Sequence, residues 1–199
     1  MTTARPSAWR DLKARLLSAL VLVIVAGTAI GLGGWFYKAL VLAAMVGMAA
    51  EAGVLFGLAS RSWRGSLYML WAAGAWLAAA TGRWEAIPAF CISALVFGAP
   101  LCLIMCIIVL AGNALLWLRP EGVLPVLFVI CVVVASDSCA YLTGRMIGGP
   151  KLAPRISPGK TCSGSVGGLV GALACGTLIA TYAGQGGVAT AALWGAVLG

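Results

Sequence analysis

Histidine is absent from this chain and charge is scarce, with five acidic and 13 basic residues making up 9% of 199. Seven cysteines form no CxxC pair, and six of them fall inside apolar runs. A zinc site and a disulfide framework are both argued against by that pattern. Cys102 and Cys106 share a helical face without other ligand types nearby. With 62% hydrophobic residues and a mean hydropathy of +1.06, too little polar side chain remains to cover a water-soluble globule. The composition is that of a polytopic membrane protein. A removable signal peptide is missing as well, because the apolar run after Arg15 continues for a full span.

What is present divides into apolar runs and short basic clusters. The runs predict helices near 16–34, 38–59, 66–81, 86–99, 101–118, 123–142 and 164–183, with an eighth begun at 188. The expected fold is therefore an all-α integral membrane bundle of seven to eight transmembrane helices. One helix over the 33 residues from Ala86 to Leu118 would measure roughly 50 Å against a hydrocarbon core of about 30 Å. Two spans broken near Gly98 and Pro100 fit better. The net charge of +8 is spread over clusters between spans and not along one soluble face, so it reports topology and not nucleic-acid binding. Arg5, Arg10, Lys13 and Arg15 put the N-terminus in the cytoplasm. Arg61 and Arg64, and then the segment from Arg145 to Lys160, follow on the same side if 86–118 is two spans. No linker, low-complexity tail or internal repeat appears, which predicts a single membrane domain over 1–199.

Residues 136 to 168 form the one long polar stretch, and no acid follows Asp137. Burying that carboxylate costs about 2.5–3.5 kcal/mol on insertion scales, so it needs compensation. Two partners are open: Mg²⁺, usually held by one or two carboxylates with substrate phosphates, or a salt bridge to Arg145. Tyr141, one turn on, shares the face of Asp137. Glycines and prolines in TGRMIGGPKLAPRISPGKT imply a shaped loop, with Ser157, Pro158 and Gly159 as a turn. Lys160 and Thr161 then supply a charge and a hydroxyl ahead of GSVGGLVGALACG, a helix start whose amides suit an anion. A Walker A loop is excluded because Pro154 stands where its first glycine is required. The GxxxG spacings Gly164/Gly168 and Gly167/Gly171 predict close helix packing. Glu51 either pairs with Arg61 or Arg64 or approaches the site, whereas Glu85 and Glu121, beside Arg83 and Arg119, read as solvated loop markers.

The series D-S-x-A-Y-x-x-G-R-x-x-G-G-P-K-L-A-P-R-I-S-P-G-K-T from Asp137 to Thr161, followed by G-S-V-G-G, resembles the phosphatidate cytidylyltransferase (CDP-diglyceride synthase) family. The resemblance covers about 30 consecutive residues. It implies reaction of CTP with phosphatidate to give CDP-diacylglycerol and pyrophosphate, with Mg²⁺ as cofactor, in a bacterial-type inner membrane. On that basis Lys160, Arg155 and Asp137 are the expected catalytic residues, the first two on phosphate oxygens and Asp137 on Mg²⁺. Ser157, Pro158, Thr161, Tyr141, Arg145, Lys151 and Gly164 are expected to contact substrate. The expected partners are CTP, phosphatidate and the bilayer, and no nucleic acid; a homodimer or a complementing C-terminal segment stays open. Two departures stand out. Family members often carry tryptophan and glutamate where this chain has Cys162 and Ser163. A second signature with K-D and H-G-G-x-x-D-R-x-D elements has no counterpart, so the polypeptide is expected to be an N-terminal portion or truncated copy with little or no activity alone. The rival expectations are a CTP-dependent polyprenol or phytol kinase, an ion-coupled transporter using Asp137 and Glu51, and a non-catalytic membrane subunit.

Overall fold

The computed structural model describes residues 8–59, 61–153, 157–183, 195 and 197; side chains of 8–16, 18, 19, 153 and 158 lie outside that description. The chain divides into two compact units, Met1–Pro120 and Glu121–Gly199. Among the described residues the architecture is all-α, with one small hairpin.

In the first unit the helices are α1 (Ala8–Leu32), α2 (Gly34–Leu55), α3 (Trp63–Ala80), α4 (Ile87–Ser93) and α5 (Ala99–Leu118). Ser62 caps α3, its hydroxyl accepting from Gly65 N at 3.1 Å. The run from 86 to 118 breaks where expected: Gly98 has φ 101°, a conformation open to glycine, and Pro100 opens α5. The segment before that break is shorter than an ordinary span. Trp84–Ala86 and Ala94–Phe97 are 3₁₀ turns flanking the seven residues of α4.

Large polar-tipped side chains tie this unit together. Tyr68, fully buried, donates from Oη to Leu101 O at 2.8 Å and meets the Phe97 ring edge-on at 5.0 Å. Tyr37 reaches Leu115 O at 3.0 Å, and Trp76 Nε1 reaches Lys38 O at 2.9 Å. Lys38 Nζ donates to Ala80 O at 3.0 Å, satisfying a carbonyl at the C-terminal end of α3. Arg119 donates to Ile30 O at 2.9 Å and lies 5.9 Å from the Tyr37 ring centroid. Glu85 and Glu121 are exposed, as expected of loop markers, while Arg119 beside Glu121 is partly buried as a tether. Glu51 is exposed and forms no ion pair with Arg61 or Arg64 among the described residues. Cys102 and Cys106 do share a face, both thiols pointing to Cys91 O at 3.4 and 3.7 Å.

The second unit consists of α6 (Val123–Met146), β1 (Lys151–Ala153), β2 (Ser157–Thr161) and α7 (Cys162–Tyr182). Helices α6 and α7 approach so closely that side chains are excluded at several points. A Cβ at Gly164 would fall 2.9 Å from Ala140 O, one at Gly168 3.2 Å from Ser136 O, and one at Gly171 3.0 Å from Ala135 O. The GxxxG spacings therefore act in packing, with Ser136, Ala140 and Gly144 forming the opposing row on α6.

Among the described residues, four helical segments are long and apolar enough to cross a membrane: Gly34–Leu55, Ala99–Glu121, Val123–Met146 and Cys162–Tyr182. Leu20–Leu32 and Trp84–Phe97 are shorter apolar helices. The expected spans outside this set are α3, the interrupted segment 84–97, the first run, which belongs to the 25-residue α1 but has side chains described only in part, and an eighth segment that falls outside the described residues.

Candidate active site

Helix α6 continues four residues past its expected end at 142 and takes in Gly144, whose bare backbone lies against Gly164 of α7. Asp137 is consequently nine residues, or roughly 14 Å at about 1.5 Å per residue, from the terminus at Met146. Gly148 and Gly149, with φ 66° and 113°, end the helix and turn the chain into β1.

Strands β1 and β2 pair antiparallel, with Lys151 opposite Thr161 and Ala153 opposite Ser157 across an irregular register. Ser157, Pro158 and Gly159 therefore belong to a strand, which corrects the expected turn. The physical reason is that a two-stranded ribbon has free edges, where a proline costs no ladder bond. Thr161 ends β2 in an extended conformation and caps α7, its Oγ1 accepting from Gly164 N at 3.1 Å. Cys162 N donates to Pro150 O at 3.0 Å. Two amides of the first turn are thereby satisfied internally, so the helix start offers an anion fewer donors than its glycine-rich sequence implies.

Between α6, the end of β2 and the start of α7 lies a cleft of about 650 Å³. From α6 it is lined by Ser136, Asp137, Ala140, Tyr141, Gly144 and Arg145, and from the hairpin and α7 by Gly159, Lys160, Thr161, Gly164, Ser165 and Gly168. Six of the expected site residues meet there: Asp137, Tyr141, Arg145, Lys160, Thr161 and Gly164. Lys151 and Ser157 do not line it, the Pro158 side chain is outside the description, and Arg155 lies outside the described residues. As lining residues, sequence reading missed Ser136, Ala140, Gly144, Gly159, Ser165 and Gly168. The first three repeat at intervals of four, a small-xxx-small row that was legible but overshadowed by the charged residues beside it.

Arg145 Nη1 donates to Tyr141 Oη at 2.8 Å. Asp137 pairs with no cation among the described residues, so the salt bridge considered between Asp137 and Arg145 does not form and Tyr141 is engaged with Arg145.

Residues 13–199 match the model of the cytidylyltransferase family. The chain belongs to that family. Over 63 residues it is 49% identical to a phosphatidate cytidylyltransferase of Brucella suis, a stretch covering 32% of this chain and 23% of the relative. It is also 49% identical over 53 residues to the protein of that name in Haemophilus influenzae, covering 27% of the chain and 18% of the relative. A third, from Staphylococcus saprophyticus, is 50% identical over 52 residues, covering 26% and 20%. The matching stretch spans less than a quarter of those relatives' lengths. No solved structure matches the chain.

The cleft carries a basic charge distribution. Lys160 and Arg145 face it from opposite elements and favour a polyanion. Among the described residues no three His, Cys, Asp or Glu side chains gather as a metal cage. A single carboxylate in a cleft with room for phosphate oxygens does fit Mg²⁺, which binds in that mixed manner.

Proposed function

We propose that this chain takes part in cytidylyl transfer from CTP to phosphatidate, giving CDP-diacylglycerol and pyrophosphate at the cytoplasmic face of the membrane. The observation that carries the reading is the meeting of Asp137 with Lys160 in one cleft within the family-matched region. In the reaction a phosphate oxygen of phosphatidate forms a bond to the α-phosphorus of CTP. The bond from that phosphorus to the β-phosphate bridging oxygen breaks, and pyrophosphate leaves with the electron pair. Because the nucleophile is already anionic, no strong general base is required. Catalysis then rests on positioning and on neutralising charge, the two effects that contribute most to phosphoryl-type transfer.

Lys160, at the end of β2, reaches nucleotide phosphate oxygens, and Arg145 offers a second cation across the cleft. Arg155 extends the same basic segment, while Ser165 adds a hydroxyl. Asp137 would hold Mg²⁺ together with nucleotide oxygens; the ion supplies additional neutralisation of the triphosphate. Tyr141, on the same face of α6 as Asp137 and Arg145, keeps the guanidinium turned toward itself. The basic clusters at Arg5–Arg15, Arg61–Arg64 and Arg145–Lys160 support placing the N-terminus and hairpin in the cytoplasm, where CTP resides.

Membranes carrying the chain, given phosphatidate and CTP labelled at either the α or γ phosphorus, test the reading. Cytidylyl transfer moves α-label into lipid and γ-label into pyrophosphate, and Lys160→Ala reduces both by about 10²–10³-fold. Incorporation of γ-label into lipid would identify a lipid kinase instead. Pyrophosphate release unchanged by Lys160→Ala would remove the hairpin from the reaction.

A further inference from the structure

A chain of hydrogen bonds closes the base of the hairpin beside the cleft. Ser163 Oγ donates to the carbonyl of Gly148. Thr161 Oγ1 lies 3.2 Å from Ser163 Oγ and accepts from Gly164 N at 3.1 Å. The backbone contact from Cys162 N to Pro150 O runs alongside. The end of α6 is in this way joined to the first turn of α7, with β1 and β2 looping out between them.

Proton counting gives the chain a direction. A hydroxyl carries one proton, and that of Ser163 is committed to Gly148 O, which has none to give. The bond between the two hydroxyls must then run from Thr161 to Ser163. Thr161 in turn receives the Gly164 amide on a lone pair. The relay is Gly164 N–H to Thr161, Thr161 to Ser163, and Ser163 to Gly148 O, each bond polarising the next. While it is intact, Thr161 has no proton left to donate to a phosphate. That reassigns the hydroxyl which sequence reading placed on substrate.

We propose that Ser163 is a positioning residue for Lys160, its hydroxyl holding the hairpin base in the arrangement that presents the lysine to a nucleotide's phosphates. The inference rests on the cytidylyl-transfer reading of the cleft. Lys160 directly precedes Thr161, so a loosened relay moves the lysine's backbone first. The remaining ties, the Cys162 N–Pro150 O bond and the Lys151–Thr161 pairing, act on a segment that Gly148, Gly149 and Gly159 leave with little intrinsic stiffness.

Ser163→Thr and Ser163→Val differ in shape very little, and the second lacks the donor. Both are compared with the unmodified full chain in lipid nanodiscs by two readouts. One is the rate of tryptic cleavage after the exposed Lys151 and Lys160; the other is equilibrium binding of labelled CTP. Ser163→Thr should stay within about twofold of the unmodified chain in both, while Ser163→Val is cleaved about tenfold faster and binds CTP about tenfold more weakly. Equal cleavage of the two variants overturns the relay. Faster cleavage with unchanged CTP affinity overturns the positioning role. Should the unmodified chain take up no CTP, the functional reading and the positioning role fail together, while the cleavage contrast still decides the relay. Ser163→Ala replaces the valine variant if that protein does not accumulate.

Discussion

In the unit from Met1 to Pro120, helices are tied by large side chains that reach a neighbour's backbone, whereas in the unit from Glu121 to Gly199 they are joined by residues too small to reach anything. Tyr37, Tyr68, Trp76, Lys38 and Arg119 each end on a main-chain carbonyl in the first. In the second, Gly164, Gly168 and Gly171 let α7 settle against the backbone of α6. The contrast matters because a long side chain can adjust through its rotamers, while a backbone contact fixes distance directly. Small residues also leave room. The cleft at Asp137 and Lys160 opens where the two rows of glycine, alanine and serine meet the hairpin.

The largest effect should come from cutting the principal tie of the first unit. Tyr68→Ala removes a fully buried ring and its bond to Leu101 O, and an unfolding titration in mixed micelles should register a loss of about 3–5 kcal/mol. CTP binding in the other unit tests whether the two schemes are independent: if it weakens as much as stability does, the division is wrong.

Next in size is the reciprocal experiment. Gly164→Ala puts a methyl 2.9 Å from Ala140 O and should cost about 1–3 kcal/mol with loss of CTP binding. The same change at Gly47, in the interior of α2 with nothing within 4 Å, should stabilise by about 0.5–1 kcal/mol. Equal responses at the two glycines would erase the distinction. The smallest stability effect belongs to Tyr141→Phe. Its bond to Arg145 joins two exposed side chains, so folding should change by less than about 0.5 kcal/mol. Its consequence is expected in the cleft, as a changed dependence of CTP binding on magnesium concentration.

Much of this architecture could be read from the residues. The break at Gly98 and Pro100 followed from the length a bilayer allows, and the GxxxG spacings announced the α6–α7 contact. The charged residues of the cleft stood out because charge is rare elsewhere in the chain. Other features depend on partners distant in sequence. Arg119 looked like a loop residue, yet its guanidinium ends on Ile30 O, and no local pattern announces that contact. The hairpin was hidden by Pro158, which argues against a strand unless the strand lies at a sheet edge. Span count suffered for a related reason: hydropathy marks the run at 84–97 as apolar but does not reveal that it folds as two 3₁₀ turns around a short helix.

The central claim is that cytidine nucleotide binds within the Glu121–Gly199 unit, against Asp137 and Lys160. Photolabelling with an azido-CTP carrying a radioactive α-phosphate, followed by peptide mapping, tests it most directly. Label should concentrate on peptides spanning residues 136 to 168, compete with unlabelled CTP, and fall about 10²-fold in Lys160→Ala. Label confined to residues before Pro120, or undiminished in Lys160→Ala, would contradict the account.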